Sequence, residues 1–384
     1  MIPCQRHLFD IPEDVAYLNC AYMSPLMRPV IETGNVALAR KAHPWELTPD
    51  QFFTGAEEFR ATAARLIDAP ADCVAIISSA SYGVATATRN LPVSKGESIL
   101  VLDEQFPSNY YPWQRLAEES GAVLKIVGWP DDGDWTAAVL NSLTADVAIA
   151  ALPQVQWTSG GRLDLVRIGE GCRKIGAALA LDLTQSLGAL PFSVREVQPD
   201  FAVAANYKWL MGPYTTGLMY VDPKWHGGRP LEENWIQRAN ARDFASLILY
   251  TDKYDEGARR FDMGERSNFA LLPAATRAIM QLLEWGVAEI SETAGALNLQ
   301  LAGAAEEIGF SSPPEELRAP HYLCLRRQAG IPAELPDILA RQKVFVSVRG
   351  SSVRVTPHVY NSATDGDRLI SCLQQIARGR RKTA

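Results

Sequence analysis

Ala178-Leu-Ala-Leu-Asp182-Leu-Thr-Gln185 and Phe201-Ala-Val-Ala-Ala-Asn-Tyr-Lys208-Trp-Leu-Met-Gly212-Pro213 decide how this chain folds. Both begin as dense apolar runs of strand length, the pattern of strands buried on both faces of a sheet. The first delivers Asp182 and Gln185 at its C-terminal end. The second delivers Lys208 just before a Gly-Pro breaker. A carboxylate at one strand end and a lysine at the next suit a pyridine ring carrying an aldehyde. The carboxylate keeps the ring nitrogen protonated, and the lysine condenses with the aldehyde as a Schiff base. An isolated Asp and Lys would be read as a core-edge acid and a surface base; the neighbouring segments argue against that.

Working outward from this pair, strands and helices alternate. Residues 49–68 show helical spacing, and Val74-Ala-Ile-Ile runs through Ser-Ser-Ala-Ser81-Tyr82-Gly83 into another helical stretch. Strand, small polar turn and helix in that order make an anion site, because free N–H groups and the helix dipole point at it. Strands follow at 98–103, 123–128, 147–152 and 215–221, with helices at 109–120, 135–143 and 163–178. The repetition predicts an α/β fold with a mostly parallel sheet, helices on both faces and ligands at the strand C-termini. Phe106 follows one strand directly and is placed to lie on a ligand ring, with core packing as the alternative. Gly169-Glu-Gly-Cys-Arg-Lys-Ile-Gly176 imitates a dinucleotide fingerprint. It has the wrong spacing and lies within a helical pattern, so that reading is rejected.

Asp182-x-x-Gln185, then Lys208 ahead of Gly212-Pro213, resembles the class V aminotransferase family of pyridoxal-phosphate (PLP) enzymes, fold type I. Members include cysteine desulfurases, kynureninases, isopenicillin-epimerase-like proteins and true aminotransferases. The resemblance implies a large domain with a mostly parallel sheet flanked by helices, plus a smaller α+β C-terminal domain. It divides the chain into an N-terminal segment, 1–45, packing with the small domain, a PLP domain, 46–272, and a small domain, 273–384. It makes Lys208 the Schiff-base lysine, Asp182 the partner of the ring nitrogen, Gln185 a donor to the ring oxygen and Phe106 the stacking aromatic. Ser81, Tyr82 and Tyr207 take phosphate positions. Arg260 to Asn268 matches a loop that reaches the partner subunit's phosphate, so Gly264 and Ser267 are candidate contacts and a homodimer is implied. Arg354, in Val-Arg-Val-Thr-Pro-His-Val-Tyr-Asn361, is the candidate for the substrate α-carboxylate, with a surface ion pair as the alternative. Asn19 and Tyr22 are candidate substrate contacts, equally open to a packing role.

The chain departs from the family pattern at four places. Ala80-Ser81-Tyr82 replaces a Gly-Thr-Thr, Ala205 a serine, Glu265 a threonine, and Gln156 or Trp157 an asparagine. Transamination of an α-amino acid is the expected activity, since it needs nothing beyond this residue set. A kynureninase-like hydrolase or a C–S or Cβ lyase is the runner-up, favoured by Phe106-Pro-Ser and Tyr207-Lys208. A non-catalytic doubly wound binding protein comes last. Cysteine desulfuration is not expected, because Val346 to Val353, where the family's nucleophilic cysteine lies, has none.

Composition narrows the partners. A net charge of −7 argues against a broad nucleic-acid or acidic-membrane surface. The basic run Arg378-Gly-Arg-Arg-Lys382 reads as a solvated end. No apolar run is long enough to span a membrane, and the first residues lack a signal core. Six scattered cysteines suit free thiols in a reducing cytoplasm, and five separated histidines match no metal spacing.

Overall fold

Seven strands of mainly Val, Ile, Leu and Ala build the central sheet: β2 (Val74–Ile77), β3 (Ser98–Leu102), β4 (Val123–Val127), β5 (Val147–Pro153), β6 (Ala178–Asp182), β7 (Phe201–Ala205) and β8 (Gly217–Val221). A two-residue strand, β1 (Ala16–Tyr17), precedes them. This computed structural model describes residues 1–349 and 351–379. The last residues of the basic run 378–382 lie outside that range.

The sheet order is β2-β8-β7-β6-β5-β3-β4; β8 is antiparallel to both neighbours and the other pairings are parallel. Alternation along each strand divides the apolar side chains between two cores. Leu100, Leu152, Leu181 and Ala204 face one core, shared with Phe59 of α2 (Gln51–Leu66), Ile168 of α6 (Leu165–Ile175) and Ile279 of α8 (Leu271–Trp285). Val101, Ala151, Ala180 and Val203 face the other, under Val84 of α3 (Ala80–Asn90) and Trp113 of α4 (Tyr111–Ser120). Gly83 lets α3 sit against the sheet: a Cβ there would lie 2.4 Å from Val203 Cγ1. Two further helices, α1 (Arg28–Ala39) and α5 (Trp135–Ser142), and the one-turn α7 (Val194–Val197) complete this part.

After α8 comes α9 (Val287–Glu306), then β9 (Leu323–Arg326), α10 (Leu335–Arg341), β10 (Val344–Phe345), β11 (Ser347–Arg349), β12 (Ser352–Val355) and α11 (Ala363–Gly379). The apolar run 344–348 does not form one strand but divides in two. Val344 and Phe345 pair in parallel with Ala16 and Tyr17, whereas β11 pairs antiparallel with β12, which pairs with β9. Ala16 and Leu18 join Leu323, Val353, Leu339 and Leu373 in a third core, while Phe9, Met27 and Val30 join the first. The helix read over 163–178 is shorter, ending at Gly176 in the left-handed region (φ 78°). Pro107–Asn109 forms a 3-10 turn ahead of α4.

Candidate active site

Chain order around the sheet reverses between β3 and β5, and the strand C-termini there open a cavity. It is about 390 Å³, with Asp182, Lys208, Phe106 and the start of α3 in its walls. Asp182 ends β6, is only 7% exposed, and accepts the Thr184 N–H at 3.0 Å. Burial pushes its carboxyl above the usual range, opposed by that hydrogen bond and by the Lys208 charge.

Lys208 follows β7 in a tightly tied turn. Met211 N–H donates to the Lys208 carbonyl (3.0 Å), Gly212 N–H to Asn206 O (2.8 Å), and Asn206 N–H to Thr216 O (2.9 Å). The chain then returns at once as β8, so both ends of the turn are held by the sheet. Its Nζ lies 5.2 Å from the Phe106 ring centroid and 5.5 Å from that of Tyr207, and makes no hydrogen bond among the described residues. Burial pulls its pKa down to about 8; Asp182 opposes this and Arg354 adds to it. An amine so poised keeps a far larger neutral, nucleophilic fraction near physiological pH than an ordinary lysine, although the ammonium form still dominates below about 8.

Ser79 caps α3, its Oγ accepting the Tyr82 N–H at 3.1 Å and lying 2.9 Å from Ser81 Oγ. The N–H groups of Ala80 and Ser81, in the first turn, have no helical partner and face this cavity wall. Tyr82 contributes only that backbone N–H; its hydroxyl is buried without a partner on the side of Glu232 and Asp262. Tyr207 lines the cavity and packs against Tyr214, ring centroids 4.5 Å apart.

A second hollow of about 280 Å³ adjoins the first across Phe106, Trp157 and Lys208, and here Arg354 enters. The Arg354 Nη2 donates to Ser347 Oγ (3.2 Å) and Nη1 to the Trp157 carbonyl (3.4 Å); the buried Nε has no partner. Ser347 donates in turn to Asn19 Oδ1 at 2.8 Å. Asn19 therefore stands behind the arginine, whereas Tyr22 lines the hollow itself. Gln185 lines both spaces, with its amide partly engaged: Nε2 donates to Ala21 O (3.3 Å) and Oε1 accepts from Trp209 Nε1 (3.2 Å).

Gly264 and Ser267 are not brought to this cavity. The Gly264 N–H is taken by Glu232, and Ser267 Oγ donates to Phe52 O at 2.7 Å. Sequence reasoning missed Ser79, legible as an N-cap three residues before Tyr82. It also missed Tyr214 and Ser347, for which no local signal exists.

These residues fit pyridoxal 5′-phosphate. Asp182 is a buried carboxyl short of donors, suited to a pyridinium N–H. Lys208 is a buried amine short of acceptors, suited to the aldehyde. The α3 N-terminus offers free N–H groups to a phosphate, and Phe106 offers a face. No group of three or more His, Cys, Asp or Glu is placed to hold a metal among the described residues.

A buried lysine beside a buried carboxylate, at the C-terminal ends of a mostly parallel sheet, defines a fold type I pyridoxal-phosphate enzyme. The chain belongs to the aminotransferase class-V family, whose model matches residues 33–367. An uncharacterized aminotransferase of Bacillus subtilis is 25% identical over 93% of this chain and 93% of its own. A kynureninase of Shouchella clausii is 23% identical over 88% of this chain and 80% of its own. The apo cysteine desulfurase of Thermococcus onnurineus superposes with a TM-score of 0.83 at 19% identity, covering 97% of both chains. No helix among the described residues is long and apolar enough to cross a membrane.

Proposed function

We propose that this enzyme transaminates an α-amino acid. The observation that carries the reading is the make-up of the two joined hollows: among the described residues, Lys208 is the one amine in their walls, and no histidine, cysteine or glutamate lines either. Bound pyridoxal 5′-phosphate would supply an electron sink for the bond broken at Cα. Asp182 holds the ring nitrogen's proton, Phe106 and Trp157 exclude water, and Arg354 orients the α-carboxylate. Lys208 moves the Cα proton. Transamination asks nothing more of the protein, whereas desulfuration needs a thiolate of its own. Cys324 lies in the small sheet; burial pushes its thiol up to about 12, and it donates to Thr158 O at 2.9 Å.

Two copies pairing in solution belong to the same reading. Ile248, Leu249 and Tyr250 are 80%, 65% and 98% exposed, and the loop carrying Gly264 and Ser267 serves no function at its own cavity. Light scattering that returns a monomer mass would remove this part.

The test of the activity is an amino-acid panel read by cofactor absorbance and product analysis. Conversion of the cofactor to its aminated form with release of a 2-oxo acid is expected. Stoichiometric ammonia, alanine or sulfide instead would replace transamination with the cleaving chemistries for which the kynureninase and desulfurase relatives are named.

A further inference from the structure

The three-stranded sheet β11-β12-β9 has two chemically opposed faces. Pairing sets Arg354 opposite Ser347 and Cys324, and Ser352 opposite Arg349 and Arg326. Side chains alternate along a strand, so Arg326, Arg349 and Arg354 share one face, with only Cys324, Ser347 and Ser352 between them. The other face carries Leu323, Leu325, Val353 and Val355, all in the apolar core. The arginine face looks onto the substrate side of the site.

Arg354, 3% exposed, occupies the deep end of that face. Arg349 is exposed and borders both the inner hollow and an outer one of about 590 Å³ running past Trp129 and Arg326. Among the described residues, the inner hollow thus has three cationic side chains, Lys208, Arg349 and Arg354, and no Asp or Glu in its walls. The acids of the outer hollow, Glu104 and Asp131, do not neutralise Arg349. Glu104 accepts from Thr158 Oγ1 at 3.0 Å, and no ion pair joins either acid to Arg349 among the described residues. The one hydrogen bond the Arg349 guanidinium makes among those residues is to the adjacent Val348 carbonyl, at 3.1 Å. Diagonal neighbours on paired strands stand roughly 7 Å apart at Cβ, and each guanidinium can grip an anion with two parallel bonds.

We propose that Arg349 binds a second anionic group, at the far end of the substrate's side chain, so that the preferred amino acid is an acidic one. The proposal rests on the reading of this cavity as an α-amino-acid site with Arg354 on the α-carboxylate. A monocarboxylic amino acid leaves Arg349 facing water and forgoes that contact; an acidic one bridges the two arginines along one sheet face.

The test compares wild type with Arg349→Gln, both loaded with pyridoxal 5′-phosphate. kcat/KM is measured for L-aspartate, L-glutamate, O-phospho-L-serine, L-alanine and L-phenylalanine. Succinate and propionate are titrated by calorimetry as unreactive two-anion and one-anion probes. An acidic amino acid preferred at least tenfold over alanine is expected, with Arg349→Gln removing at least tenfold of that preference. The succinate-over-propionate affinity ratio should fall at least tenfold in the variant. Whichever acidic compound responds separates a carboxylate from a phosphate as the second anion. A smaller wild-type preference, or ratios that move less than tenfold, overturns the proposal while leaving transamination standing. A protein that takes up no cofactor or turns over no amino acid sinks the functional reading instead, and the succinate ratio still decides the role of Arg349.

Discussion

Two buried acids in this molecule meet opposite treatment. Asp262 is fully buried and saturated: Ile76 N–H donates at 2.7 Å, the Arg60 Nη1 and Nη2 at 3.3 and 2.8 Å, and Arg266 adds a further ion pair. The Asp182 carboxyl is nearly as buried yet accepts a single hydrogen bond, and the Lys208 Nζ close by makes none among the described residues. The first acid ties α2, β2 and the loop before α8 together. The second stands open toward a cavity. Paired buried charge holds a fold in place, and buried charge left short of partners marks where a ligand must complete the set.

The contrast breaks most severely at Lys208. Lys208→Ala should abolish turnover and the absorbance band of bound cofactor, since no other amine among the described residues lines the cavity. A variant with an unchanged band would remove Lys208 from its role.

Next comes a matched pair of substitutions. Asp182→Asn should cost activity by about a hundredfold or more, through weaker protonation of the ring nitrogen, on the scale of a lost charged partner. The same change should not weaken the cofactor-free fold, because burial already disfavours the Asp182 charge. Asp262→Asn should do the reverse and destabilise by about 3–5 kcal/mol, leaving two buried guanidiniums under-compensated. Urea unfolding curves alongside kcat decide both. If the two substitutions gave the same profile, the distinction between holding charge and site charge would fail.

A milder probe is pH. With the Lys208 amine pulled down to about 8, the ammonium form dominates below that value and the free amine above it. Cofactor uptake by the stripped protein should therefore accelerate about tenfold per unit as pH rises toward 8, then level off. Stopped-flow absorbance showing the rise continuing to the ordinary lysine range would contradict the burial argument.

The smallest effect is expected at Tyr82, beside the saturated acid. Its hydroxyl is buried without a partner, so Tyr82→Phe should change stability by less than about 1 kcal/mol and leave the backbone N–H to Ser79 in place. A tenfold loss of cofactor affinity would instead give that hydroxyl a cofactor contact.

Asp182, Lys208 and Phe106 were legible because Asp182 ends an apolar strand and the other two sit a few residues past one, and parallel strands discharge their C-termini into one crevice. Arg354 was legible from its motif. The rest depended on contacts distant in sequence. Asn19 turned out to steady Ser347 across 328 positions of chain rather than to line the hollow, and nothing local in either segment signals that. Tyr82 follows a polar turn in the right place, but the close fit of Gly83 on Val203 sets the roll of α3, and with it where the phenol goes. The division of 344–348 follows from a pairing with residues 16–17, invisible to any window along the chain.

The two-faced small sheet also bears on error. A slip of one residue in β12 would carry Arg354 into the aliphatic core and leave Val353 or Val355 toward the ligand. A mispaired sheet of that kind would strand a guanidinium without water or partner, so it would not persist long enough to misrecognise anything. On the proposed roles of Arg349 and Arg354, fidelity of substrate choice would thereby be enforced at the folding stage: any molecule that has closed this sheet has both arginines on the cavity side.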